Sequence, residues 1–167
     1  LQKDLGNLTP SKNLKDLFSK SRNINILSIA RVFLFGSRDI WFVVGLPVFL
    51  YSSGWSFWQV GSFLALWTIG YGIVQSSIPS FIKRSKDGLS LEILSSKGWI
   101  ILLVFTQLII LIISIIFDFK ILGLDTVIVI GLLVFGALFA INSALHSYLI
   151  LAYSKATNVT EDVGFYY

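Results

Sequence analysis

An all-α membrane protein with about four transmembrane helices is the fold class this sequence predicts, and three observations carry that reading. The chain of 167 residues is 55% hydrophobic and 15% aromatic with only 13% charged residues, more apolar surface than one soluble core of that size can hide. Four apolar stretches reach the length of about 20 residues that a hydrocarbon core roughly 30 Å thick demands. The basic residues between them are segregated. Lys3, Lys12, Lys15, Lys20 and Arg22 precede the first stretch, and Lys83, Arg84, Lys86 and Lys97 lie between the second and third, whereas the other two connections hold only Lys120. The positive-inside rule therefore puts the N-terminal tail and the second connection in the cytoplasm, and Lys155 after the fourth stretch agrees.

Taken in order, Leu1 to Arg22 reads as a cytoplasmic loop tail, polar and mixed in charge, unlike a signal peptide with its apolar core and small-residue cleavage site. Methionine is absent, so Leu1 is not expected to be a native start, and the chain reads as an excerpt of a longer protein. Cysteine is absent too, which excludes disulfides and cysteine-based metal or redox chemistry. The transmembrane region covers residues 23–154. Its first span, Asn23 to Tyr51, exceeds the minimum and permits tilt, with a kink expected at Gly45 and Pro47. The second, Trp58 to Ile82, opens on an outer cluster of Trp55, Phe57 and Trp58, as interfacial aromatics should. The third, Gly98 to Phe117, has Trp99 at its inner end and reads "WIILLVFTQLIILIISIIF"; it is apolar on nearly every face and is expected to be the most lipid-exposed. The fourth, Thr126 to Tyr153, carries Gly136, Ala140 and Ala144 at spacing four, a stripe that lets two helix backbones approach closely. Residues 155–167 form a cytoplasmic loop and the start of a further helix.

The candidate functional residues are the polar ones inside the spans. Arg38 and Asp39 sit near the middle of the first, where an ionisable group costs roughly 2.5–3.5 kcal/mol on insertion scales and is kept facing a bundle interior or aqueous cavity. Two readings stand: contacts to a substrate or coupling ion, or a structural ion pair locking this helix to a neighbour. Arg31, seven residues before Arg38, falls within roughly 20° of it on one helical face and about 10 Å away along the axis. Two aligned guanidinium groups suit an anion with more than one negative charge, although Arg31 is also near enough to the helix start to snorkel. Tyr71 and Gln75 follow Trp67 at steps of four and face either a ligand or a neighbouring helix. Asn142 and His146 share a face of the fourth span, and His146, the one imidazole, is either a proton-coupling group or a satisfied hydrogen-bonding residue. Paired carboxylates, a histidine cluster for a metal and a nucleophile with base and orienting acid are all missing from the spans, so neither catalysis, a cofactor nor a metal is expected.

The stretch "NILSIARVFLFGSRDIWFVVGLPVFLYSSGWSFWQVGSFLALWTIGYGIVQSSIP", Asn25 to Pro79, resembles the seventh and eighth helices of a major facilitator superfamily permease. Within that superfamily it is most similar to the bacterial organoarsenical efflux permeases, chiefly through "ARVFLFGSRDIWFVVGLPVFL" and then "GSFLALWTIGYGIVQ". The closing "EDVGFYY" resembles the start of the eleventh helix, and "FIKRSKDG" stands where the superfamily often has a Gly-Asp-Arg-type motif. The resemblance implies helices seven to ten of a twelve-helix fold in the bacterial inner membrane, acting in arsenic resistance. The substrate it implies is an acid-labile arsenate ester of phosphoglycerate, bound near the midplane between this half and the N-terminal half of the same permease. Implied substrate contacts are Arg31, Arg38, Asp39, Tyr71, Gln75, Asn142 and His146, and the partners are membrane lipid and a small anion, not nucleic acid. A permease for another organic anion or drug, or a non-transporting scaffold subunit, are the alternatives. The charge segregation makes a direct prediction: single cysteines at Ser53 and Gly123 should react with an impermeant reagent from outside, and those at Ser19, Ser85 and Thr157 only from inside. Labelling of Ser85 from the outer face would reverse the orientation.

Overall fold

A computed structural model describes residues 20–81, 85–116, 123–154 and 159–167. Expectations for Lys3, Lys12, Lys15, Lys83, Arg84, Lys120 and Lys155, for the span ends Ile82 and Phe117, and for labelling at Ser19 and Thr157 lie outside the described residues. Four helices long and apolar enough to cross a membrane follow one another. The first is wound in three parts: α1 (Arg22–Asp39), a π-helical segment (Ile40–Gly45) and α2 (Leu46–Ser52). Next come α3 (Phe57–Phe81), α4 (Ser90–Ile116), α5 (Leu124–Tyr153) and the short α6 (Val159–Tyr166). No strand occurs among the described residues, and the protein is an all-α membrane-embedded bundle. Helices suit such apolar segments because lipid offers no partner to a backbone N–H or C=O, and each must be met within its own segment.

The helix ends are set by polar side chains. Ser21 caps α1, its hydroxyl accepting the Ile24 N–H at 3.4 Å. Ahead of α4, one oxygen of Asp87 accepts the N–H groups of Leu89 at 3.1 Å and Ser90 at 3.0 Å, and the Ser90 hydroxyl at 3.0 Å. The Ser85 hydroxyl, with these donors, holds the Asp87 carboxyl well below the usual carboxylate range. Gly88 completes the turn at φ +67°, a left-handed conformation that glycine adopts without a Cβ clash, and its carbonyl accepts the Tyr148 hydroxyl at 3.0 Å. This cap starts α4 at Ser90, so the helix begins eight residues before the hydropathy rise at Gly98. Hydropathy marks where the chain turns apolar; capping marks where it turns helical.

At the expected kink the helix widens instead of simply bending. Proline has no N–H and its ring crowds the carbonyl four residues back, so Pro47 disfavours regular winding through Val43. The chain answers with a π turn in which the Leu46 N–H reaches the Trp41 carbonyl five residues away. Gly45 is the residue that fits there: a Cβ would stand 3.0 Å from the Ile40 carbonyl oxygen.

α5 is the centre of the bundle and touches α1, α3, α4 and α6. Its Leu132, Phe135 and Phe139 are fully buried with Leu46 and Leu50 of α2. Bare backbone on α5 admits large neighbours, Ile110 at Gly131 and the Trp67 indole at Gly136. The third span is not the most exposed: α3 buries only Val60 and Ile78, whereas α4 buries Glu92, Ser96, Leu103 and Ile110. α4 fits Leu103 and Ile110 into the bundle, whereas α3 turns Trp58, Leu66, Ile69 and Ile73 outward. An evenly apolar helix gives no sign of which face finds a partner. Gly136→Ala should drive a methyl into the Trp67 ring and cost about 1–3 kcal/mol. Gly70→Ala, with nothing within 4 Å of its Cβ, should leave thermal unfolding in detergent unchanged or raise its midpoint.

Candidate functional site

Arg31, Phe35 and Arg38 recur at i, i+4 and i+7 on α1, which brings them to one face. The phenyl ring of Phe35 is shared by both cations: the guanidinium carbon of Arg31 lies 3.9 Å from its centroid and that of Arg38 4.6 Å. Each such contact is worth about 0.5–2 kcal/mol, more as water is excluded. Phe35 is held edge-on by the buried Phe139 at 5.1 Å, and Arg38 also lies 5.3 Å from the Phe139 ring. Arg31 is enclosed further by Tyr167 at 4.0 Å and Tyr166 at 4.6 Å, and its Nη1 donates to the Tyr166 hydroxyl at 3.2 Å.

The two arginines differ in how their charge is met. Arg38 donates from Nε to Asp39 Oδ1 at 2.8 Å, with Nη2 2.7 Å from the same oxygen. Since these residues are neighbours on one helix, the pair does not tie α1 to another element. The Asp39 side chain is 48% exposed, so its charge is only loosely committed. Arg31 has aromatic rings and a hydroxyl about it, but no carboxylate pairs with it among the described residues.

Tyr71 joins this cluster through a ring contact with Phe139 at 5.6 Å, and its hydroxyl donates to Ser143 Oγ at 3.1 Å. Trp67 stacks on Tyr71 at 5.6 Å and on Phe42 at 3.7 Å, so an aromatic column links α3, the π segment and α5 to Phe35. Gln75 is half-buried and makes no hydrogen bond to a described residue. Asn142 is fully buried; its Nδ2 donates to the Leu138 carbonyl of its own helix at 3.0 Å, and its Oδ1 has no partner. His146 lines a separate cavity between α1, α4 and α5, with Asn23, Ser96 and Lys97. The structure thus gathers Arg31, Arg38, Asp39 and Tyr71 around Phe35 and Phe139, and places His146 on another cavity that the Arg31 charge still reaches. No group of three or more His, Asp or Glu stands together to hold a metal among the described residues.

Several contacts at the site escape sequence reasoning. Lys20 pairs with Asp162 at 3.0 Å and Glu161 at 3.6 Å, with Lys20 and Asp162 side chains only 6% and 7% exposed, and so clamps α6 to the start of α1. That clamp carries Tyr166 and Tyr167 to Arg31. Trp41 Nε1 donates to Gln107 Oε1 at 2.6 Å, and Trp55 Nε1 to Asp125 Oδ2 at 3.3 Å. The spacing of Phe35 between the two arginines was a legible signal; pairings across 66 or more residues have none.

No protein family, characterised protein or solved structure matches this chain significantly. The clamp offers a test that needs no knowledge of function. Asp162→Asn should leave Lys20 with only the longer Glu161 contact and cost less than the roughly 3–5 kcal/mol of a fully unpaired buried charge, seen as faster hydrogen exchange across Val159–Tyr166. The double variant Lys20→Met, Asp162→Leu should recover most of that protection.

Proposed function

We propose that this chain belongs to the C-terminal half of a major facilitator-type permease that exports a small polyanionic solute, with Arg31 and Arg38 as its grip. One observation carries the reading: two guanidinium groups share the Phe35 ring, and Arg31 lacks a carboxylate partner among the described residues. Their guanidinium carbons are no further apart than 3.9 Å and 4.6 Å laid end to end, a span that one solute with two anionic groups can bridge. A cation inside a transmembrane helix is costly, and one met only by neutral groups retains an electrostatic demand that an anion satisfies. Arg38 uses Nε and Nη2 on Asp39 and keeps both protons of Nη1 for a ligand.

The intrahelical placement of the Arg38–Asp39 pair supports a ligand role over a helix-locking one. The π turn that begins directly after Asp39 adds support, as such turns recur at functional sites. The similarity of "ARVFLFGSRDIWFVVGLPVFL" to organoarsenical efflux permeases favours an arsenate ester of phosphoglycerate as the solute and the bacterial inner membrane as the location. The substrate would lie near the midplane against an N-terminal half, and one half would rock against the other.

Arg38→Lys is the informative variant, because lysine keeps the charge but loses the planar fork that grips two oxygens at once. In everted vesicles holding the complete permease, transport of the arsenical should fall by more than the tenfold that about 1.4 kcal/mol represents, with membrane insertion unchanged. Phosphoglycerate should compete with the arsenical in the unaltered protein. Export by Arg38→Lys at the unaltered rate would refute bidentate anion binding there.

A further inference from the structure

α1 and α4 begin, and α5 ends, at the same end of the bundle, and a cavity of about 200 Å³ opens between them there. It is walled by apolar residues such as Leu27, Ile93 and Leu149, with five polar side chains among them. Asn23, Ser96, Lys97, His146 and Tyr153 can each donate a hydrogen bond, Lys97 alone cannot accept one, and no carboxylate lines it among the described residues. His146 is 1% exposed, and its Nδ1 is buried without a hydrogen-bond partner. Ser96 is 6% exposed and lines the same cavity. Lys97 is exposed at the mouth and pairs with no carboxylate among the described residues. His146 lies seven residues before Tyr153, so the pocket runs about 10 Å inward from the helix ends.

A buried polar atom without a partner is costly, and a native bundle that keeps His146 Nδ1 unmet behind an unpaired ammonium is built for a polar group from outside. The volume is below the roughly 300 Å³ at which drug-sized ligand sites begin, so the occupant is small. The N-terminus of α1, where Asn23 is the second helical residue, adds a positive dipole end to the same mouth. We propose that this cavity is a binding site for a phosphate-type oxyanion, with Lys97 meeting the charge at the mouth and Ser96 and His146 donating from within. The oxyanion is either free phosphate or the phosphate monoester of a lipid headgroup. Its five polar residues are not those gathered around Phe35, although the Arg31 charge reaches His146.

The chain contains one histidine, so ring-labelled histidine gives a single NMR reporter inside the cavity. The full chain in phosphate-free maltoside micelles would be titrated with inorganic phosphate in one arm and with phosphatidic acid in mixed micelles in the other. A saturable shift of the His146 signal is expected in at least one arm; phosphate alone identifies a soluble anion, and phosphatidic acid alone a headgroup. Lys97→Ala, at an exposed position that leaves folding intact, should weaken the response at least about tenfold, the loss of one charge-assisted contact. Ser96→Ala should weaken it with the unliganded His146 signal little changed. Absence of a saturable shift in both arms, an equal shift with chloride at matched ionic strength, or an undiminished response in Lys97→Ala would overturn the proposal.

Discussion

The Trp67 indole lies against α5 where Gly136 has no side chain, and the interior is arranged around that contact. Because the ring can come so close, it stacks on Phe42 of the π segment and on Tyr71 one turn further along α3. Phe42 stacks in turn on Phe135, and Tyr71 meets Phe139, the residue that fixes the ring of Phe35. The two arginines of α1 rest on the end of this chain of rings. In lipid, where apolar burial gains little, helix association depends on close van der Waals approach, and a missing Cβ at the hub is what permits it.

Charge in the bundle is handled in three ways, each suited to its surroundings. Lys20 and Asp162 neutralise each other while nearly buried, an arrangement that repays desolvation only with close geometry. Glu92, 1% exposed, takes the Ser85 N–H at 3.0 Å and its hydroxyl at 2.5 Å, so neutral donors spread its charge and close the turn before α4. Arg31 relies on ring faces and one tyrosine hydroxyl, a softer environment that stabilises a cation without cancelling it. The first two are closed; the third keeps its field available.

The number and order of the membrane helices were legible because an unbroken apolar run of about 20 residues matches the thickness of a bilayer and exceeds what a helix in a soluble core needs. Arg31 and Arg38 were placed on one face by helical periodicity alone, and the structure brings both to one ring. The start of α4 was not legible from hydropathy, although the Asp87-Gly88 turn and Ser90 are recognisable capping chemistry once that signal is sought. The grouping of His146 with Asn142 followed from i, i+4 spacing, which says that two side chains share a face but not which neighbour each one meets. Long-range pairs such as Lys20 with Asp162 depend on how α6 folds back, a tertiary fact with no local trace.

The π turn also has a bearing on helical phase. Counted at about 100° per residue, Leu46 of a straight helix would lie about 120° round from Leu34, away from the bundle. One residue taken up in the wide turn brings the offset back to about 20°, and both leucines are buried, Leu34 at 6% and Leu46 at 0% exposure. The first span is therefore two apolar faces spliced one residue out of step, with Ile40–Gly45 as the splice. A helical wheel drawn straight through it assigns Leu46 to the lipid.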